Sequence, residues 1–371
     1  MPSEPDVGVV GAGVIGLSTA FALIESGASV AVYERGVPGN SQSGGESRIF
    51  RHVHDDPRLV ALARESRGGW RQWEERFGEE LLSREGVVAV GRAAERRLEV
   101  LRDVGGIRAG PIDSSEIAER LPIATHWEAP AIFDEDGGVL RARRTIAALS
   151  DAVRDRLVFD EVMSVRTTPR GTVEVRTGGV SAEHDRVVLC AGRGTVALAR
   201  TAGLALPVRQ AAHVRLSFPV RGEPRLRLAC LLDGSGAFAD ESAYGDPLPG
   251  NRGYAVGLGE TLVREDGSLL DADALADTTS RITAYVSVAL PGLDPQPFEA
   301  RHCWVTELPW NHDGLAVWEL DGLLVLAGNN LFKHAPALGR ALARAAVGEE
   351  RLVSLRPEAR VGAPSPGLRM A

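Results

Sequence analysis

Asp6-Val-Gly-Val-Val-Gly-Ala-Gly-Val-Ile-Gly16, running on through Leu17–Ser26 to Ala28-Ser-Val-Ala-Val-Tyr-Glu34, is the stretch whose reading decides the fold. The short apolar run from Asp6 to Val10 predicts a buried strand, Gly11 to Gly16 a tight turn, Leu17–Ser26 a helix, and Ala28–Tyr33 a second strand that closes on Glu34. A bare G-x-G-x-x-G says little. Here it follows a strand, opens a helix, and is answered by an acidic residue 18 positions after Gly16, which is the full dinucleotide-binding pattern. Gly11 permits the turn, Gly13 lets backbone approach a pyrophosphate, and Gly16 lets helix and strand pack. Val14 and Ile15, within the turn, are candidate cofactor contacts, and the N-terminus of the helix that follows supplies free N–H groups to the phosphates. Glu34 can accept from ribose hydroxyls, which favours a dinucleotide without a 2′-phosphate.

Beyond this unit, the 371 residues suffice for two domains, and 44% hydrophobic with 25% charged residues excludes global disorder. No run of about 18 uninterrupted apolar residues occurs, so neither a spanning helix nor a cleavable leader is expected, and the cytoplasm is the expected location. A formal charge of −8 argues against a general grip on nucleic acid or anionic lipid, leaving a small molecule as the expected partner of a monomer or homodimer. Cys190, Cys230 and Cys303 have neither disulfide nor metal spacing. Of the 42 basic residues, 41 are arginine and Lys333 is the sole lysine, so a primary amine at that one position marks a candidate site.

Helical patterning returns at Arg58–Arg76 and, introduced by Asp136-Gly-Gly-Val-Leu, at Arg143–Arg154. Alternating runs between Leu157 and Gly192 predict a small meander ending in a buried strand from Arg186. Strand-like runs Val214–Phe218 and Gly253–Leu258, with a helix near Ala272–Val288, have the texture of a second domain. Gly322-Leu-Leu-Val-Leu-Ala-Gly328 is another buried strand, followed by a turn and the helix Pro336–Val347. A nucleotide fold that is left and revisited around Val188 and Leu324 favours FAD over NAD. The expected architecture is mixed α/β, with a discontinuous FAD-binding Rossmann-like domain from 1–80, 140–213 and 300–371. A substrate domain with a mixed β-sheet would take 81–139 and 214–299.

Four patches carry a resemblance to a known family: the fingerprint with Glu34-Arg35; Gly44-Gly-Glu-Ser-Arg-Ile-Phe-Arg-His52; His302-Cys303-Trp-Val-Thr306; and Leu326-Ala-Gly-Asn-Asn-Leu-Phe-Lys-His-Ala-Pro-Ala-Leu-Gly339. They resemble the D-amino-acid-oxidase-like FAD oxidoreductases, in particular the branch of monomeric sarcosine oxidase and N-methyltryptophan oxidase. Arg48 and Arg51, three apart, could face one ligand if that segment turns helically. The resemblance implies that Arg48 lies beside the flavin, that Arg51 and Lys333 share the carboxylate of an amine substrate, and that Tyr244 belongs to the pocket. It implies FAD as cofactor, linked covalently through Cys303, 25 residues before Gly328. Gly44, Val162, Ala191, Gly192 and Gly328 complete the candidate cofactor contacts. Read without the family, Arg48 and Arg51 could be surface arginines, Cys303 a small core residue, and Lys333 a snorkelling surface lysine.

The match fails at identifiable places. Gly328-Asn-Asn-Leu-Phe-Lys is two residues shorter than the family turn and lacks its histidine. Ala255 stands where the family has a lysine beneath the flavin, Gly259 replaces a substrate histidine, and Val305 a tyrosine. Arg48, Arg252 or a histidine would then have to supply a cation for oxygen chemistry. Trp304, Trp310 and Trp318 could line a larger apolar pocket, or serve as core. The expected reaction is oxidation of the C–N bond of an amino or imino acid, a secondary or cyclic amine, to an imine, with a place in specialised metabolism. A flavin dehydrogenase or desaturase using an acceptor other than O₂, an NAD-dependent dehydrogenase and a non-catalytic flavin protein remain the alternatives.

Overall fold

The computed structural model describes residues 6–222, 227–264, 266 and 268–363, so the outer ends of the expected nucleotide portion, 1–5 and 364–371, lie outside the described residues. The opening unit forms β1 (Asp6–Val10), α1 (Val14–Glu25) and β2 (Ser29–Glu34). The helix starts within the fingerprint itself, because Gly13 already serves as its N-cap. β3 (Ser47–Phe50) follows, then α2 (Pro57–Phe77). Asp56 caps α2 by accepting from the Arg58 N–H, Pro57 suits the first turn, where no N–H is needed, and Gly78 ends it at φ +69°.

β1 and β2 lie in a six-stranded sheet ordered Leu315–Leu320, Leu323–Gly328, Arg186–Leu189, β1, β2, Leu157–Phe159. All pairs are parallel except the one at the Leu315 edge. Because strand residues alternate between faces, Val7, Val9, Val188 and Leu324 pack toward α1 and Trp70 of α2, whereas Val10, Leu189 and Val325 pack under a three-stranded meander, Val162–Thr167, Val173–Thr177 and Ser181–His184.

The second sheet has nine strands and is mostly antiparallel. Its centre is β4 (Arg209–Phe218), β5 (Ala243–Pro247) and β6 (Tyr254–Leu258). Ala212, Val214, Leu216, Phe218, Val256 and Leu258 bury one face with Ile282, Tyr285 and Val286 of α3 (Ala272–Ala289). The alternate residues, among them His213, Arg215, Tyr244 and Asp246, line a cavity. β7 (Glu299–Glu307) pairs along the whole accessible length of β4, from Arg209↔Glu307 to Ser217↔Glu299. That strand starts at the expected boundary near 300, yet it is built into the second sheet. The chain returns to the first sheet only at Leu315, and α4 (Ala335–Ala346) then packs on α1.

Local expectations differ in three places. Residues Gly138–Arg141 form a strand paired with β3, and the next helix starts at Ala142 and stops at Ala152. Arg48 lies in β3, so the helical turn that would have let Arg48 and Arg51 share one face is absent. Cys303, which the family places just before a strand, sits inside β7. No helix of the described residues is long and apolar enough to cross a membrane.

Candidate active site

A continuous cavity of about 1030 Å³ runs from the fingerprint turn, between the two large sheets, to Lys333. Its nucleotide end is shaped by backbone. Gly11 sits at φ +100°, and a Cβ there would lie 2.7 Å from the Cys190 carbonyl oxygen. A Cβ on Gly16 would lie 1.9 Å from the Gly11 carbonyl oxygen, so Gly16 is a packing glycine behind the wall and does not line the cavity. Gly13, Val14, Ile15, Val162, Ala191, Gly192 and Gly328 all line it; Gly44 does not. The Glu34 carboxylate accepts from the Ala12 N–H at 2.9 Å and the Gly36 N–H at 3.0 Å, bracing the turn while it lines the cavity. Arg35 is at the rim, half exposed and paired with Glu161 at 3.0 Å. This glycine cradle, ending on an acidic residue at the carboxyl end of β2, fits a dinucleotide.

The middle of the cavity is walled by the second sheet. His213 and Cys303 face each other across the β4–β7 pair, and the Tyr244 hydroxyl lies 3.5 Å from His213 Nε2. Burial alone would raise the Cys303 thiol, but hydrogen bonding and charge from His213, with Arg48 and Arg215, bring it down to about 6. Arg48 is pushed down to about 10, chiefly by burial and then by Arg215. Its guanidinium donates to the carbonyls of Ser47 at 2.7 Å, Gln42 at 3.2 Å, and Gly44. Arg215 donates to Asp246 Oδ1 at 2.9 Å and to the Ser47 carbonyl at 3.2 Å, while Asp246 Oδ2 is buried without a hydrogen-bond partner among the described residues.

Ala255 is fully buried on β6 opposite Ser217, away from the cavity lining. Of the cations expected to stand in for a lysine there, Arg48 lines the cavity with His213, but Arg252 is 59% exposed and turned to Glu46. Arg215, opposite Gly257 and two positions from Ala255, is the buried cation that sequence reasoning missed. The signal was present: His213-Val-Arg-Leu-Ser-Phe218 alternates polar and apolar, so its polar members share one face. Trp304 lines the cavity, whereas Trp310 donates to the Val361 carbonyl and Trp318 packs beneath the meander.

At the far end Arg51 and Lys333 line the same wall. Arg51 lies just past the end of β3, and it and Arg48 both line the cavity despite their odd spacing. Lys333 lies in a short 3₁₀ turn, Leu331–His334, entered through Asn330 at φ +54°. It is 4% exposed, and its Nζ donates to the Asn330 carbonyl at 3.0 Å. Behind it the Trp70 indole donates to the Lys333 carbonyl and stacks on Phe332 with an interplanar angle of 3°. Burial lowers the Lys333 ammonium to about 7; Asp313 opposes this and Arg51 reinforces it. Asp313, absent from the sequence reading, pairs with Arg51 at 2.7 Å and with His54 Nδ1 at 3.3 Å. Burial, with Arg51 beside it, pushes His54 down to about 3, so that ring is neutral near pH 7.

The chain belongs to the FAD dependent oxidoreductase (DAO) family, whose profile matches residues 6–345. It is similar to peroxisomal sarcosine oxidase of Homo sapiens, 25% identical over 355 residues that cover 91% of this chain and 90% of the relative. It is also similar to glycine oxidase of Geobacillus kaustophilus, 27% identical over 271 residues, 68% of this chain and 69% of that one. Among solved structures, NikD, described as an unusual amino acid oxidase essential for nikkomycin biosynthesis, superposes with a TM-score of 0.83 at 22% identity, covering 99% of this chain and 98% of the other. The fold is therefore that of the family, and the chain stands among FAD-dependent amino-acid oxidoreductases.

Proposed function

We propose that this protein oxidises the C–N bond of a small amino or imino acid, a secondary or cyclic amine, to an imine. Arg51 and Lys333 bind the carboxylate, Glu34 and the Gly11–Gly16 turn hold the nucleotide portion of FAD, and Cys303 is the point of covalent attachment. The carrying observation is the convergence of Arg51 and the sole lysine, 282 positions apart in sequence, on one wall of a cavity whose other end is a dinucleotide cradle. Bound FAD supplies the two-electron acceptor. The chain's own residues orient and exclude: the clamp fixes the carboxylate so that the α-carbon faces the space lined by Arg48, Tyr244 and Cys303, and the second sheet keeps bulk water from it. The His213 side chain stabilises the Cys303 thiolate, the form competent to attack an electrophilic carbon.

Two measurements test this. Acid-precipitated protein should stay yellow, and Cys303→Ala should release its flavin under the same treatment; free flavin from the unaltered protein would refute the linkage. Anaerobic addition of secondary and cyclic amino acids should bleach the flavin, and an unchanged spectrum across that panel would refute the substrate class. A second reading, an acceptor other than O₂, is favoured by uncharged Ala255 and by the tie of Arg215 to Asp246, which leaves that cation largely neutralised. Comparing flavin reoxidation in air and with an artificial quinone separates the two.

A further inference from the structure

The carboxylate clamp contains a carboxylate of its own. Arg51 is already engaged at both terminal nitrogens: one donates to the Val53 carbonyl at 3.1 Å and the other to Asp313 Oδ2 at 2.7 Å. Asp313 is held from the other side by the Asn330 amide, and its backbone N–H donates to Asn311 Oδ1 at 2.7 Å. Its side chain keeps 17% exposure, in the cavity lining, so it is both paired and reachable. Lys333 adds a second cation beside Asp313, while His54 and His334 are buried and neutral, their rings 5.9 Å apart. His312, next to Asp313, is turned toward Glu307 at 2.9 Å. A carboxylate arriving at Arg51 therefore meets an anion already seated on one of its two terminal nitrogens.

We propose that Asp313 is an internal competitor for the carboxylate position: it occupies Arg51 in the resting protein, and an acid ligand binds by displacing it. The loop Leu308–Gly314, joining β7 to the strand Leu315–Leu320, is the arm that carries it. Asp313 thereby sets the affinity for acids and is a specificity-determining residue of the site. This inference rests on the reading of Arg51 and Lys333 as carboxylate anchors.

The test is calorimetric titration of the flavin-loaded protein with acetate and, as a neutral control of the same size, acetamide. Asp313→Asn keeps the shape and removes the charge, and should tighten acetate at least about tenfold, the equivalent of one lost ion-pair competitor, while acetamide is unmoved. Asn330→Gly, which removes the tether and suits the φ of +54° at that position, should shift acetate the same way by less. If Asp313→Asn does not yield folded protein, Asp313→Ser and Asn330→Gly carry the test. Acetate bound equally or more weakly by these variants, with Arg51→Met still abolishing binding in the parent, overturns the displacement and leaves the anchors standing. Acetate binding indifferent to Arg51→Met and Lys333→Met removes both readings.

Discussion

At the scale of single residues, the site is governed by ionisable groups moved from their ordinary ranges by burial and by one another. Cys303 is held down near 6 despite its burial, because His213 faces it across the sheet. In apoprotein, alkylation of Cys303 by iodoacetamide should rise with pH through about 6, and His213→Ala should move that midpoint upward; an unmoved midpoint would assign the effect to the arginines. Lys333 gives a second prediction. Its ammonium titrates near 7 in the folded chain against 10.5 in the free side chain, so the folded state binds fewer protons between those values. Stability from this group therefore rises as pH climbs from 7 to 10.5, and its penalty is complete below 7. Lys333→Met should melt higher than the parent at pH 6, and the advantage should fade toward pH 10.5. A gap that stayed constant over that range would show that the lysine is not buried as a charge.

Among the elements, α1 and α4 meet through small residues. A Cβ on Gly339 would lie 2.5 Å from Ser18 Oγ and 2.7 Å from its carbonyl carbon, so Gly339→Ala should cost about 1–3 kcal/mol by overpacking. A melting temperature unchanged from the parent would contradict that contact. The elements nearest the fingerprint were the most legible in sequence, because apolar period and turn glycines agree there: β1, α1 and β2 stand within a few residues of expectation. That Arg51 and Lys333 merit attention was legible too, one through its motif and one through being the only lysine, and both line the cavity. What stayed hidden was what depends on pairing between distant strands. Arg215 matters because β4 lies against β6 beside Ala255, and Asp313 because its loop reaches Arg51. Neither proximity has a local signature.

For the whole molecule, the decisive fact is that the six-stranded sheet draws neighbours from residues 6–10, 186–189 and 323–328. β1 pairs with Arg186–Leu189 and that strand with Leu323–Gly328, so distant segments must come together to complete the sheet, and urea unfolding followed by far-ultraviolet circular dichroism and by tryptophan emission should give coincident single transitions. Two separated transitions would mean that the two sheets unfold independently. The same arrangement bears on how the cavity is assembled. Val10 and Gly11, Ala191 and Gly192, and Gly328 line its nucleotide end from three segments that meet only through the pairing of β1 with Arg186–Leu189 and of that strand with Leu323–Gly328, so a dinucleotide grips the chain at the junction of all three and its binding is coupled to their docking.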